Sequence, residues 1–298
     1  MPTDRPPEIR GARDLADLWR ALPAAALAYP AAACPPEVGL SALGDTLRAR
    51  AWREHCASTT LEPCAEQGRD CAQSGRCRAD ALFPVRIGGG APSWRMATLF
   101  VRWRPTLEQL HLIALGTPAC EALGWSARCL RERHRLDGAA SLPVTTLGDL
   151  ELVGATRWGL TFVTPWLVGK GHPETGAPPE AETVAHELRK AMRLRAHKLS
   201  ALCLDDTRAQ RLAAHLAHHV AEALLPGGLS VERAEVEPVP LALASRGNGA
   251  SFAALTWSGR AILRVAPAVL PWLTLIALCG GGENADKGFG GIELTPLD

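Results

Sequence analysis

Very little charge is left over in this sequence. Its 32 Lys and Arg against 31 Asp and Glu leave a formal net charge of +1. A polyanion-binding protein that works through bulk positive charge is therefore excluded, and any such surface must be a local patch. Long apolar runs are missing too. The longest near the C-terminus, residues 265–279, is interrupted by Pro267 and Pro271 and is too short to span a bilayer. Residues 21–34 look faintly like a secretion signal, but Glu8, Asp14 and Asp17 precede them and prolines break the run, so a buried strand is the better reading. Without a signal, the nine cysteines are expected to be reduced, in a cytoplasm, and an odd number argues against a complete disulfide framework. What is present is ordinary globular material: 298 residues, enough for two domains, 47% hydrophobic and 21% charged, which rules out a disordered chain.

The pattern of apolar positions gives an order of elements. Leu15, Leu18, Trp19 and Leu22 recur at helical spacing, and residues 22–33 suit a buried strand. Residues 40–55 predict a helix with Leu43, Leu47 and Ala51 on one face and Arg48, Arg50 and Arg53 outside it. A cysteine-bearing loop, 56–77, and a turn at Gly88-Gly89-Gly90 follow. A strand is expected at 95–103, a helix at 106–123, and a last strand of the first domain at 127–136. A further strand is expected at 160–168. After a Gly/Pro-rich loop, 169–182, comes a long helical zone, 183–225, broken near 204–207. Strands at 231–244 and 251–265, a short helix at 266–278 and a final strand at 291–294 close the chain. Strand, helix, strands, helix, strand, written twice, predicts an α+β protein of two tandem ferredoxin-like (RRM-like) domains, 1–155 and 156–298, with a helical insertion in the second.

Glycines crowd residues 280–291, around Gly280, Gly282, Gly288 and Gly290, with Phe289 and Lys287 among them. Lacking Cβ, glycine lets a ligand approach the backbone, and successive main-chain amides can form a concavity for phosphate oxygens, with Lys287 beside it. A Walker loop is excluded, because the Gly-Lys-Ser/Thr ending is absent. A hairpin loop without a ligand would look the same.

Arg189, Lys190, Arg193, Arg195 and Lys198 fall within ten residues that contain no acid. His186, Arg189, Lys190, Arg193 and His197 form a polar stripe opposite Leu188, Met192, Leu199 and Leu202. Such a row suits the phosphates and 2′-hydroxyls that an RNA duplex offers. A second cluster, Arg128, Arg131, Arg133, His134 and Arg135, is either another phosphate surface or a charged strand edge. Cys56, Cys64, Cys71 and Cys77 share one loop and could hold a structural zinc, but no C-x-x-C pair is present, and reduced thiols are the favoured reading. No cofactor is expected. His215, His218 and His219 resemble a metal triplet, which a solvated helix explains more simply.

Residues 252–294 resemble the C-terminal part of the RAMP-superfamily endoribonucleases that process CRISPR precursor RNA. The likeness is carried by Trp257-Ser258-Gly259 in a strand, a short apolar helix, and a glycine loop ending in Gly288-Phe289-Gly290 before a last strand. Phe162-Val163-Thr164-Pro165 resembles the family's opening of the second domain, and Gly44-Asp45-Thr46-Leu47-Arg48 its Gly-x-x-Leu-Arg helix. The resemblance implies two ferredoxin-like domains, recognition of a CRISPR repeat stem-loop RNA, and one metal-independent cut. In that cut a 2′-hydroxyl attacks the adjacent phosphate and leaves a 2′,3′-cyclic phosphate. The product crRNA would be retained and handed to other CRISPR effector subunits. The long helical insertion fits a divergent, type IV member.

Proton transfer at neutral pH suits histidine, and phosphate charge suits arginine or lysine. Family members place a histidine at or near the first helix of domain one, yet this chain has none between Met1 and Glu54. Arg48 and His55, two helical turns apart, are the candidate catalytic pair, with His172 and Lys287 in reserve. Two readings compete with the enzyme: a non-catalytic RAMP subunit that only binds guide RNA, and a zinc-stabilised protein-interaction module.

Overall fold

The computed structural model describes residues 11–34, 39–56, 77–83, 96–168, 177–204, 207–244, 251–281 and 290–298. The Gly88-Gly89-Gly90 turn, Cys64, Cys71, His172, Gly282, Lys287, Gly288 and Phe289 lie outside the described residues. Contacts divide the chain into two units, Met1–Glu151 with Ala196–His219, and Leu152–Arg195 with Val220–Asp298.

In the first unit, α1 (Ala12–Arg20) leads into β1 (Ala24–Pro30). There follow α2 (Leu40–His55), α3 (Arg78–Leu82), β2 (Leu99–Arg104), β3 (Gln109–Leu115), α4 (Thr117–His134) and β4 (Ala140–Ser141). The sheet order is β2-β3-β1-β4, antiparallel throughout. The second unit holds β5 (Arg157–Leu167), β6 (Leu229–Ala244), β7 (Ser251–Val265), α7 (Leu270–Cys279) and β8 (Ile292–Pro296), in the order β6-β7-β5-β8. Between β5 and β6 run α5 (Ala181–Leu202) and α6 (Thr207–Gly228). Each sheet places its own second, third, first and fourth strands side by side. That is the split βαβ arrangement of the ferredoxin-like fold, built twice.

Local sequence accounts for most of these elements. In α2, Leu43, Gly44, Leu47, Ala51 and Trp52 are buried at helical spacing, as the apolar stripe requires. Every residue of α7 is buried, so it is a core helix. Its Pro271 sits in the first turn, where the missing N–H costs nothing. Phe162, Trp166 and Trp257 pack edge to face in the second core, with Phe162 5.6 and 6.5 Å from the two indoles, centroid to centroid. Such pairs add about 0.5–1.5 kcal/mol each beyond their burial.

One stretch departs from expectation. Residues 109–115 form a strand where a helix is predicted, because every side chain from Leu110 to Leu115 is buried and the run carries no alternation to read. Residues 127–136 are not a strand: 127–134 are the second half of α4, which buries Ala119, Ala122, Leu123, Ser126, Cys129 and Leu130 at spacings of three and four. Arg131, Arg133 and Arg135 therefore do not share a strand face. Arg135 ends the helix in a left-handed conformation (φ 57°), its N–H donating to the Arg131 carbonyl. The last strand of the first unit is the short β4 instead.

Candidate nucleic-acid interface

The glycine-rich segment 280–291 leaves α7 and returns to β8 through a closed neck. Gly281 N donates to the Gly290 carbonyl at 2.8 Å, and Gly290 N donates to the Pro165 carbonyl at 2.9 Å. Gly291 N donates to Thr164 Oγ1 at 2.7 Å, and Val163 N donates to the Gly291 carbonyl at 2.9 Å. The acceptors and donors on the other side are Val163-Thr164-Pro165, where β5 loses register with β7 between Phe162 and Trp166. A bulge frees backbone groups from the ladder, and here they hold the neck. The Phe-Val-Thr-Pro motif and the glycine cluster, read separately in the sequence, are thus two sides of one structure.

Two of these glycines have no substitute. A Cβ on Gly281 would lie 1.9 Å from Cη2 of Trp166, and one on Gly290 would lie 1.7 Å from the Gly281 carbonyl oxygen. Gly290 also sits at φ 64°. Close packing of backbone on an indole and on itself is what excludes a side chain.

Arg195 reaches the neck from α5. Its Nε donates to the Gly280 carbonyl at 2.7 Å, and the side chain is buried. Burial drives its pKa down. The other basic residues of α5 are also engaged. Arg189 donates to the Leu229 carbonyl at 2.8 Å and to Glu182 at 2.7 Å. Lys190 pairs with Glu187 at 3.1 Å and Arg193 with Glu222 at 3.3 Å. Lys190 and Arg193 keep 50% and 38% of their side chains exposed against 17% for Arg189. Lys198 is partly buried. The predicted row therefore divides: Arg189 and Arg195 serve backbone carbonyls, while Lys190 and Arg193 stand in water, each against a carboxylate.

In the first unit, Arg48 lies over the Phe83 ring, 5.9 Å from its centroid, a cation–π distance. His55 packs on Trp125 with centroids 4.7 Å apart, and its Nε2 is buried without a hydrogen-bond partner among the described residues. Burial lowers its pKa, and Arg78 and Arg128 add to the effect. Glu54 accepts from Trp125 Nε1 at 2.7 Å and from Arg50 at 2.7 Å, which keeps its carboxyl ionised to lower pH than usual. Cys77 Sγ donates to the His55 carbonyl, and Cys56 and Cys77 pack into one apolar cluster with Trp52 and Ala79. Among the described residues no three His, Cys, Asp or Glu side chains are arranged to hold a metal.

Sequence reasoning gave His134 no specific role. Its Nε2 lies 2.8 Å from Thr46 Oγ1 of α2. The two residues are 88 apart in the chain, so no local pattern joins them. His197 faces His215 and His218 across α5 and α6, with centroids 6.3 and 6.5 Å apart, and its Nδ1 is 3.0 Å from the Ala214 carbonyl. Among the described residues no helix is long and apolar enough to cross a membrane.

No protein-family model matches the chain, and no curated protein sequence matches it. Solved structures do. Cas6 from Thermus thermophilus is 17% identical, with 92% of this chain covering 99% of that one at a TM-score of 0.44. A Cas6-related protein from Pyrococcus furiosus is 11% identical, with 93% covering 100% at a TM-score of 0.42. The CRISPR endoribonuclease Cse3, solved with a 19-nucleotide RNA, is 15% identical, with 93% covering 100% at a TM-score of 0.35. Such identities and TM-scores assign no residue a role. Over more than nine-tenths of its length the chain is similar to Cas6 and Cse3, the CRISPR endoribonucleases.

Proposed function

We propose that this protein binds a CRISPR repeat stem-loop RNA and cuts it once without a metal ion, through attack of a 2′-hydroxyl on the adjacent phosphate. The product would be a crRNA ending in a 2′,3′-cyclic phosphate, retained for other CRISPR effector subunits. The observation that carries the reading is the neck. A buried guanidinium, a strand bulge and two glycines that tolerate no side chain all serve to hold the two ends of residues 282–289 in one place. An idle hairpin needs no such support, and it falls where the sequence resembles the family's glycine loop.

In this reading Lys190, Arg193 and Lys198 meet phosphates, whereas Arg189 and Arg195 hold the surfaces that do. Gly280, Gly282, Gly288, Phe289 and Gly290 contact the RNA backbone. Arg48 and Lys287 offset phosphate charge, and His55 is the sequence's candidate for proton transfer. The structural zinc at Cys56, Cys64, Cys71 and Cys77 is not part of the reading.

The deciding experiment incubates the protein with a panel of 5′-labelled CRISPR repeat stem-loop RNAs in excess chelator and identifies the product ends. One cut with a cyclic phosphate is expected. Tight binding without a cut would leave a guide-RNA-holding subunit, and neither binding nor cleavage would end the RNA reading altogether.

A further inference from the structure

The geometry points to His134 as the general base that removes the 2′-hydroxyl proton, with Thr46 as the residue that positions its ring; this inference rests on the endoribonuclease reading above. His134 closes α4, and its Nε2 is 2.8 Å from Thr46 Oγ1 on α2. The two helices run antiparallel at this contact, since Arg50 meets Glu132 and Glu54 meets Trp125 further along. The imidazole is therefore fixed by a hydroxyl on a separate, packed helix, as an orienting partner fixes a base in hydrolytic triads. With Nε2–H donating to Thr46, the lone pair is on Nδ1. That nitrogen, in contrast to His55 Nε2, is not buried without a partner. His134 is only partly buried, and Arg131, Arg133 and Arg135, its neighbours in the chain, are exposed. Arg133 acts on the ring directly, and an exposed guanidinium beside a base can meet the charge of a phosphodiester. Partial burial, with Arg133 adding to it, lowers the His134 pKa, which favours the neutral ring that can accept a proton.

The step balances without a co-reactant. Nδ1 takes the 2′-proton, O2′ forms a bond to phosphorus, and the P–O5′ bond breaks with its electron pair on O5′. Water then protonates O5′. The imidazolium returns its proton to solvent.

The test is single-turnover cleavage of a 5′-labelled repeat stem-loop by wild type, H134A, H134Q, T46V and H55A, with binding measured separately. H134A should cut about 100-fold or more slowly while binding within about twofold of wild type. The wild-type rate should rise with pH through a step on the acid side of the ordinary histidine range, which H134A lacks and free imidazole restores in part. T46V should keep the step but shift its position. H134Q covers the case in which alanine disturbs the helix end, and it should be equally slow. Overturning results are clear: His134 variants that cut at the wild-type rate with the wild-type pH profile, or loss of the pH step in H55A alone. A wild-type protein that binds repeat RNA and cuts none of it would remove the parent reading and this inference together.

Discussion

Arg195 donates from Nε to the Gly280 carbonyl at 2.7 Å, inside the second unit, where its guanidinium is buried. A charge in that position is costly, and it is kept because it fixes the first residue of the glycine neck. Replacing Arg195 with methionine keeps the stem and leaves the carbonyl unmet. The expected cost is on the order of 2 kcal/mol in a urea titration, with weaker RNA binding alongside. Lysine should not rescue it, because a single ammonium cannot reproduce the Nε direction. Wild-type stability in both variants would show the contact to be incidental.

The neck glycines make a sharper prediction. Gly290→Ala places a methyl 1.7 Å from a carbonyl oxygen at a positive φ. It should destabilise by about 2–3 kcal/mol or more. Gly124, on the exposed side of α4, has open space where a Cβ would stand, with nothing within 4 Å, and no such φ. Gly124→Ala should stabilise by about 0.5–1 kcal/mol. The same denaturation assay reads both, and the opposite signs are the content of the prediction.

Arg193 should be felt in salt dependence before it is felt in stability, because it and Glu222 are both exposed and pairs of that kind contribute little to folding. Lys190 differs in that its carboxylate partner, Glu187, is buried, so K190Q should also cost some stability. If each moves from its glutamate to a phosphate, K190Q and R193Q should each lower the slope of log binding constant against log salt by about 1. An unchanged slope would confine the two residues to α5's own surface chemistry.

His111 sets a pH limit on the first unit. It is buried on β3 opposite Arg102 of β2. Burial, with Arg104 adding to it, pushes its pKa down to about 4. Because the folded value lies below the unfolded one of about 6.5, the stabilising effect is complete above that pH and is lost as pH falls towards 4. Denaturant midpoints should drop between about pH 7 and pH 5, and His111→Gln should flatten that drop. Equal slopes in the two proteins would assign the acid sensitivity elsewhere.

Elements with a one-sided apolar stripe are legible from residues alone. The span of α2 follows from Leu43, Leu47 and Ala51, and the strands β6 and β7 from the long runs on either side of residues 245–250. The stretch 106–136 is not, since β3 is buried on both faces and presents an apolar run, broken only by the buried His111, that period cannot resolve. Arg131, Arg133 and Arg135 then alternate in a way that imitates a strand. At the site, the glycine cluster is visible in the sequence but its supports are not. Nothing local distinguishes Arg195, which is buried, from Lys190, which is exposed, and nothing joins Thr46 to His134. These depend on which chain segments meet, a property of topology and not of spacing.

The neck closes through bonds made by Val163, Thr164, Pro165, Gly281, Gly290 and Gly291, all outside residues 282–289. Gly281 and Gly290 thus stand one hydrogen bond apart, with Gly290 tied on to β5 through the Pro165 carbonyl. The loop-closure entropy of bringing these two chain positions together is offset by backbone bonds that the second sheet itself supplies, so the fold sets the spacing of the two ends before any ligand does.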